Sequence, residues 1–462
     1  MDFTMDNVRL WDFILQMGIL ASILVLANII RRKIPFIRKA LMPTAVIAGF
    51  LALALRATGV IRLNTNLMEM VTYHTIAIGF IALSLMIPRK EKNYSKALTG
   101  SKSGALIVSV YLLQGILGLA VSIGLAYTFK PDMFKAAGIL LPLGFGQGPG
   151  QANNIGSTYE AQGFIGGHSF ALSIAATGFV VACTFGVIYL NILRNKGVLK
   201  RVNAREASKE TFMVQDFQDE NEIPVSESID KLSLQVAFVF MVYLTTWALA
   251  VFLTKMLRAT GSDFAMSLIP LIWGFNFIFG SLFAVALRGI IRLGSKLGWV
   301  TRQYQNNYLL SRISGYAFDL MIVCGICVIN FEKLAGLWIP FILMCLLGTF
   351  GSLFYLKWIC KKIYPDYYYE GFMSMYGMLT GVISSGILLL REIDPKFETP
   401  AATNLVLGSS FAIGFGIPIL IFIGMAPRSD FMVFVTLGCC IVYFFMLSAY
   451  LLFLKEKKQK VS

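Results

Sequence analysis

Residues 144–154 read Gly-Phe-Gly-Gln-Gly-Pro-Gly-Gln-Ala-Asn-Asn. Glycine at every second position (Gly144, Gly146, Gly148, Gly150) leaves backbone N–H and C=O groups that such a segment cannot pair internally. Gln147, Gln151, Asn153 and Asn154 add neutral donors and acceptors, and Ser157, Thr158 and Glu160 follow. N–H groups suit a carboxylate, whereas carbonyls and hydroxyls suit a dehydrated sodium ion. In an apolar chain, irregular backbone survives only where it lines a protein-walled or watery cavity. The chemistry expected here is therefore reversible binding of a small solute. A broken helix packed against its neighbours without a ligand is the structural alternative.

A second glycine series, Gly377, Gly381 and Gly386, carries Thr380, Ser384 and Ser385, with Met373, Met375 and Met378 between them. Its polar content is thinner, and small residues also let membrane helices approach closely, so packing competes with binding there. Asp319 falls near the middle of an apolar run, where an unpaired carboxylate costs ~3 kcal/mol. That makes it an ion or proton site, unless it pairs with Arg312 two helical turns away. His74 and His168 lie near run ends, where interfacial or backbone hydrogen bonding explains a histidine better than proton shuttling does. Asn276 and Asn404 fit either a solute path or interhelical hydrogen bonding. Cys324 and Cys327 have no second pair or nearby histidine, so they read as small core residues rather than a metal site. No nucleotide-binding, zinc-protease or serine-hydrolase motif is present, so no enzyme and no organic cofactor is expected. Energy would come from an ion gradient or from the solute's own.

These residues sit in a chain of 462 that is 57% hydrophobic and 14% charged, with a mean hydropathy of +0.71. That composition excludes a soluble globular domain. The net charge of +15 would suggest nucleic acid in a soluble protein. Here the basic residues flank apolar runs and meet lipid headgroups instead, so nucleic acid is not expected as a partner. Seven cysteines scattered through apolar segments give no disulfide framework. A membrane helix needs about 20 apolar residues. The qualifying runs are 11–30, 41–55, 70–87, 105–127, 165–190, 232–253, 264–287, 313–329, 335–356, 401–425 and 431–454. The first is taken as a retained span, not a signal peptide.

Basic clusters follow the first, third and fifth runs (Arg31, Arg32, Lys33; Arg89, Lys90, Lys92; Arg194, Lys196, Lys200). They recur at Arg288, Arg292 and Lys296, at Lys357, Lys361 and Lys362, and in the tail at Lys455, Lys457, Lys458 and Lys460. By the positive-inside bias, this alternation requires both glycine series to enter and leave on one face as re-entrant hairpins. The expectation is an all-α polytopic membrane protein with eleven spans, amino terminus outside and carboxyl terminus cytoplasmic, in the cell membrane. Five spans plus one hairpin per half give two inverted repeats. The boundaries are residues 1–190 with a hairpin at 133–158, a charged cytoplasmic linker at 191–231, an inverted copy at 232–425 with a hairpin at 371–391, and an additional span with basic tail at 426–462.

At the hairpins the chain resembles the bacterial glutamate:sodium symporter family. Gly146, Gly148, Gly150 and Ala152 meet its G-x-G-x-G-x-A series, and Gly377, Gly381 and Ser385 meet the second series more loosely. Pro43, Ala45, Ala48 and Gly49 in the second span and the central charged linker also agree, over residues 11 to about 425. Gln147, Leu379, Ile383 and the last span depart from the family pattern. The resemblance implies sodium-driven uptake of glutamate or a related carboxylate by alternating access, with sodium as coupling ion. A sodium/proton exchanger or passive ion pathway with Asp319 as its carboxylate, and a non-transporting membrane sensor, are the rivals. Symmetric dimers are common among carriers of this build, so a homodimer is compatible, although no residue pattern marks its face.

Overall fold

The computed structural model describes residues 7–35, 42–87, 94–197, 230–261, 272–299, 302–394 and 399–453, with isolated positions 4, 37, 266 and 269. Every regular element among them is helical. Most of the central linker, from 198 to 229, and the lysines of the tail lie outside the described residues. So do Arg38, Lys39, Arg89, Lys90 and Lys92.

The long helices are α1 (Val8–Lys33), α3 (Thr65–Leu85) and α4 (Tyr94–Ala126), then α7 (Gly167–Asn195), α8 (Lys231–Ala259), α9 (Asn276–Lys296) and α10 (Asn307–Cys327). The last three are α11 (Trp338–Ile363), α14 (Ala401–Met425) and α15 (Asp430–Phe453). The shorter α2 spans Thr44–Ala57. Ten of the described helices are long and apolar enough to cross a membrane, which makes the chain a multi-pass membrane protein.

The structure departs from the expected spans at α2, and a turn interrupts another. Helix α2 has 14 residues and so is ~21 Å long, less than the ~30 Å hydrocarbon core. In the run 264–287 the described residues 266, 269 and 272–274 are helical, Phe275 is a turn, and α9 continues from Asn276.

Both glycine series form a helix, a break and a helix. In the first, a 3-10 turn at Lys135–Ile139 leads into α5 (Leu140–Phe145), the chain breaks at 146–148, and α6 (Pro149–Ala161) follows. Gly148 has φ +91°, and proline stands at the first position of α6. Glycine tolerates that φ, and proline lacks the N–H that a first helical turn cannot use. In the second, α12 (Tyr368–Thr380) stops at Gly381 and α13 (Ile383–Arg391) starts after Val382.

Contacts divide the chain into two compact units. One comprises residues 70–91 and 204–321, with a core of Ile81, Ala82, Leu85, Val239, Val242, Ala284 and Leu310. Asn307 bonds both the N–H and the C=O of Ile87, and Gln235 bonds the Tyr304 carbonyl and the Asn306 N–H. The other unit comprises residues 1–69, 92–203 and 322–462 and holds both broken segments. Within it the additional last span is tied in through Ser448 to Tyr355, Tyr443 to the Phe415 carbonyl, and Asp430 to Lys135.

Candidate functional site: two broken helices meeting at their breaks

Helix α4 is the element that addresses both breaks. Tyr111 Oη donates to the Gly146 carbonyl at 3.0 Å. Three residues on, and so on the same helix face, Gln114 Nε2 donates to the Leu379 carbonyl and to Ser352 Oγ, each at 2.9 Å. These are carbonyls that a terminating helix leaves without intrahelical partners. The α7 face is equally close: a Cβ at Gly178 would press on the Thr380 carbonyl and lie 3.2 Å from Phe145 Cδ1.

The breaks themselves are in contact. A Cβ on Gly148 would sit 2.9 Å from Val382 Cγ1 and 3.9 Å from the Gly381 carbonyl. The alternating glycines answer to different neighbours. Gly144 lies against Ile174 and the Ala175 N–H, Gly146 against the Tyr111 ring, and Gly148 against Val382. Gly150 is the buried second residue of α6. Its N–H and that of Gln151 open from the helix end toward the break, where the partial positive charge favours an anion.

Four buried side-chain atoms on the helices that form and tether the breaks have no hydrogen-bond partner: Gln114 Oε1, Gln151 Oε1, Tyr376 Oη and Ser385 Oγ. Leaving each unpaired costs ~1–3 kcal/mol, which points to a ligand or water that completes them. Ser385 Oγ would lie 2.9 Å from a Cβ on Gly381, so it belongs to the second break. Two lone-pair oxygens and two hydroxyls are a donor set suited to a hard cation or a hydrogen-bonding solute.

The other expected residues distribute as follows. Gln147 is half-buried between the two helices of the first segment. Asn153 and Asn154 face away from the break into a polar cluster, with Asn153 Oδ1 2.9 Å from His168 Nε2 and Asn153 Nδ2 donating to Asn154 Oδ1. Thr380 Oγ1 donates to the Tyr376 carbonyl. Gly377 closes the second segment on itself, its Cβ position lying 2.9 Å from Gly386 Cα. The side chain of Ser384 lies outside the described residues. Asp319, in the other unit, is exposed and makes no hydrogen bond or ion pair among the described residues. Arg312 lies over the Tyr308 ring at 5.0 Å. Asn404 donates to Tyr367 Oη and Asn276 to Tyr243 Oη. The Cys327 thiol donates to the Cys324 carbonyl. No group of three His, Cys, Asp or Glu side chains among the described residues could hold a metal.

Sequence reasoning missed Tyr111, Gln114 and Gly178. A lone glutamine inside the run 105–127 was a usable signal, since an amide in lipid seeks a partner. The tyrosine and the glycine carried none.

The fold and site define an all-helical multi-pass membrane protein with two broken helices joined at their breaks. No family model and no curated protein matches the chain.

Proposed function

We propose that the protein is a secondary active transporter that carries glutamate or a related carboxylate together with sodium by alternating access. The observation that carries this is the contact of the Gly148 break with Val382 and Gly381, surrounded by buried polar atoms without partners. Two helix ends that meet at unsatisfied groups are how carriers of this architecture build a solute site. The free N–H groups of α6 would hold the anionic group, and Gln114, Gln151, Ser385 and nearby carbonyls the sodium ion.

The broken segments are proposed to be re-entrant, one in each of two inverted repeats. Support comes from their lengths. Helix α12 has 13 residues and α13 has 9, or ~20 and ~14 Å, so neither crosses a bilayer alone. The proposed setting is the cell membrane, amino terminus outside and carboxyl terminus cytoplasmic, the orientation favoured by the basic clusters.

Labelled glutamate uptake by the purified protein in liposomes, with and without an inward sodium gradient, tests the proposal. Sodium-dependent accumulation of an acidic amino acid or dicarboxylate is expected, and its absence for every such solute removes the proposal. The exposed, unpartnered Asp319 keeps an ion exchanger as the second reading. That reading predicts ion flux without organic solute, abolished in Asp319→Asn.

A further inference from the structure

Away from the breaks, the unit that holds them gathers a second set of titratable groups. His168, the second residue of α7, is buried. Its Nε2 is 2.9 Å from Asn153 Oδ1, its Nδ1 is 3.6 Å from Glu69 Oε1, and its backbone N–H donates to Glu160 Oε2 at 2.9 Å. Four charged groups surround it. Glu69 comes from α3 and Glu160 from α6. Lys333, in the connection from α10 to α11, holds Glu160 Oε1 at 2.9 Å. Arg56 of α2 gives its bonds to the Cys327 carbonyl and Thr65 Oγ1 and acts on Glu69 through space.

The partners fix where hydrogen must be. Asn153 Nδ2 donates to Asn154 Oδ1 at 3.3 Å, which turns Asn153 Oδ1 to His168 and assigns the hydrogen of this contact to Nε2. In a neutral ring Nδ1 is then a bare lone pair directed at a carboxylate, two acceptors with nothing between them. One further proton resolves the conflict. On Nδ1 it makes an imidazolium beside a carboxylate. On Glu69 it makes a hydroxyl that donates to Nδ1. Groups this close titrate as a pair.

We propose that Glu69 and His168 form a binding site for one exchangeable proton, read by the first broken segment through Asn153, five residues beyond Gly148. Resting on the carrier reading given above, the proton is a second coupling ion. It is taken from the outer medium with the solute and released on the other side, with no other bond made or broken.

The chain has two histidines, so His74→Gln leaves a single imidazole whose ring ¹⁵N signals in nanodiscs report protonation without any transport. The Nε2–H tautomer is expected at high pH. Signals should change at a midpoint that Glu69→Gln moves by about one pH unit or more, as loss of an adjacent carboxylate requires. An Nδ1–H tautomer, or a midpoint indifferent to Glu69→Gln, overturns the proton site. In liposomes with a trapped pH dye, solute entry should acidify the lumen in the wild type and not in Glu69→Gln. Solute entry without acidification in the wild type overturns proton coupling while leaving the carrier intact. No solute entry at all overturns the carrier reading, and the ring signals still decide the proton site.

Discussion

Gly148→Ala probes the contact between the two breaks, and Gly163→Ala supplies its control. Both glycines have positive φ, +91° and +101°, but Gly163 has nothing within 4 Å of its Cβ position whereas Gly148 has Val382 Cγ1 at 2.9 Å. An alanine at positive φ costs ~1–2 kcal/mol at either site from backbone strain. Crowding Val382 adds a further ~1–3 kcal/mol at Gly148 only. The expected losses are therefore ~1–2 kcal/mol for Gly163→Ala and ~2–5 kcal/mol for Gly148→Ala. The difference belongs to the neighbour, so trimming the neighbour should recover it. In the double variant Gly148→Ala/Val382→Ala, a coupling of at least ~1 kcal/mol is expected, within the range for residues in contact. Unfolding in mixed micelles with rising dodecyl sulfate, followed by circular dichroism, measures all five proteins: wild type, Gly148→Ala, Val382→Ala, their double and Gly163→Ala. Equal losses at the two glycines with additive behaviour of the pair would show that the breaks do not touch, and the proposed site would have no wall.

Gln114→Leu strands the Leu379 carbonyl and should cost ~1–3 kcal/mol in the same titration, and it should reduce solute uptake at least tenfold in liposomes. At Gly118 an added Cβ would lie close against the backbone of Gly138, whereas Gly124 has open space. Gly118→Ala should lose ~3 kcal/mol and Gly124→Ala should be neutral or stabilising by up to ~1 kcal/mol, read as thermal stability in detergent. Burial works against the Glu160 charge, but donation from Lys333 and the His168 N–H prevails and holds its carboxyl below the ordinary glutamate range. A depressed folded-state value stabilises at neutral pH and is lost as pH falls through it. The melting temperature of wild type should therefore exceed that of Glu160→Gln at neutral pH, with the gap closing in acid. A gap that persists below the titration range of any glutamate would exclude the ion pair as its source.

Much of the helical plan was legible in the sequence because apolar runs of membrane length have one stable backbone solution in lipid. Helix α14 coincides with the run 401–425, and both glycine series break where the glycines cluster, at 146–148 and at Gly381. Boundaries set by turns or by neighbours were not legible. A turn at Phe275 interrupts the run 264–287, and α2 begins only after Pro43. The first break was readable from its polar content, yet Asn153, five residues beyond Gly148, turns to His168 instead, and Asn154 accepts from Asn153. A helix rotates ~100° per residue, so nearness in sequence to the break does not mean facing it. Tyr111 and Gln114 act through backbone carbonyls from another helix, and a contact between a side chain and a distant carbonyl leaves no trace in composition. His168 looked like an interfacial residue because the carboxylate beside it comes from position 69, about a hundred residues away.

The placement of Tyr111 and Gln114 on one rigid rod has a mechanical corollary. Sliding α4 along its axis by one turn, or twisting it by one position, would withdraw both hydroxyl and amide at once. The two interrupted helices thus share a common tether: motion of the 33-residue rod releases both together, whereas releasing one alone falls to that segment's own motion.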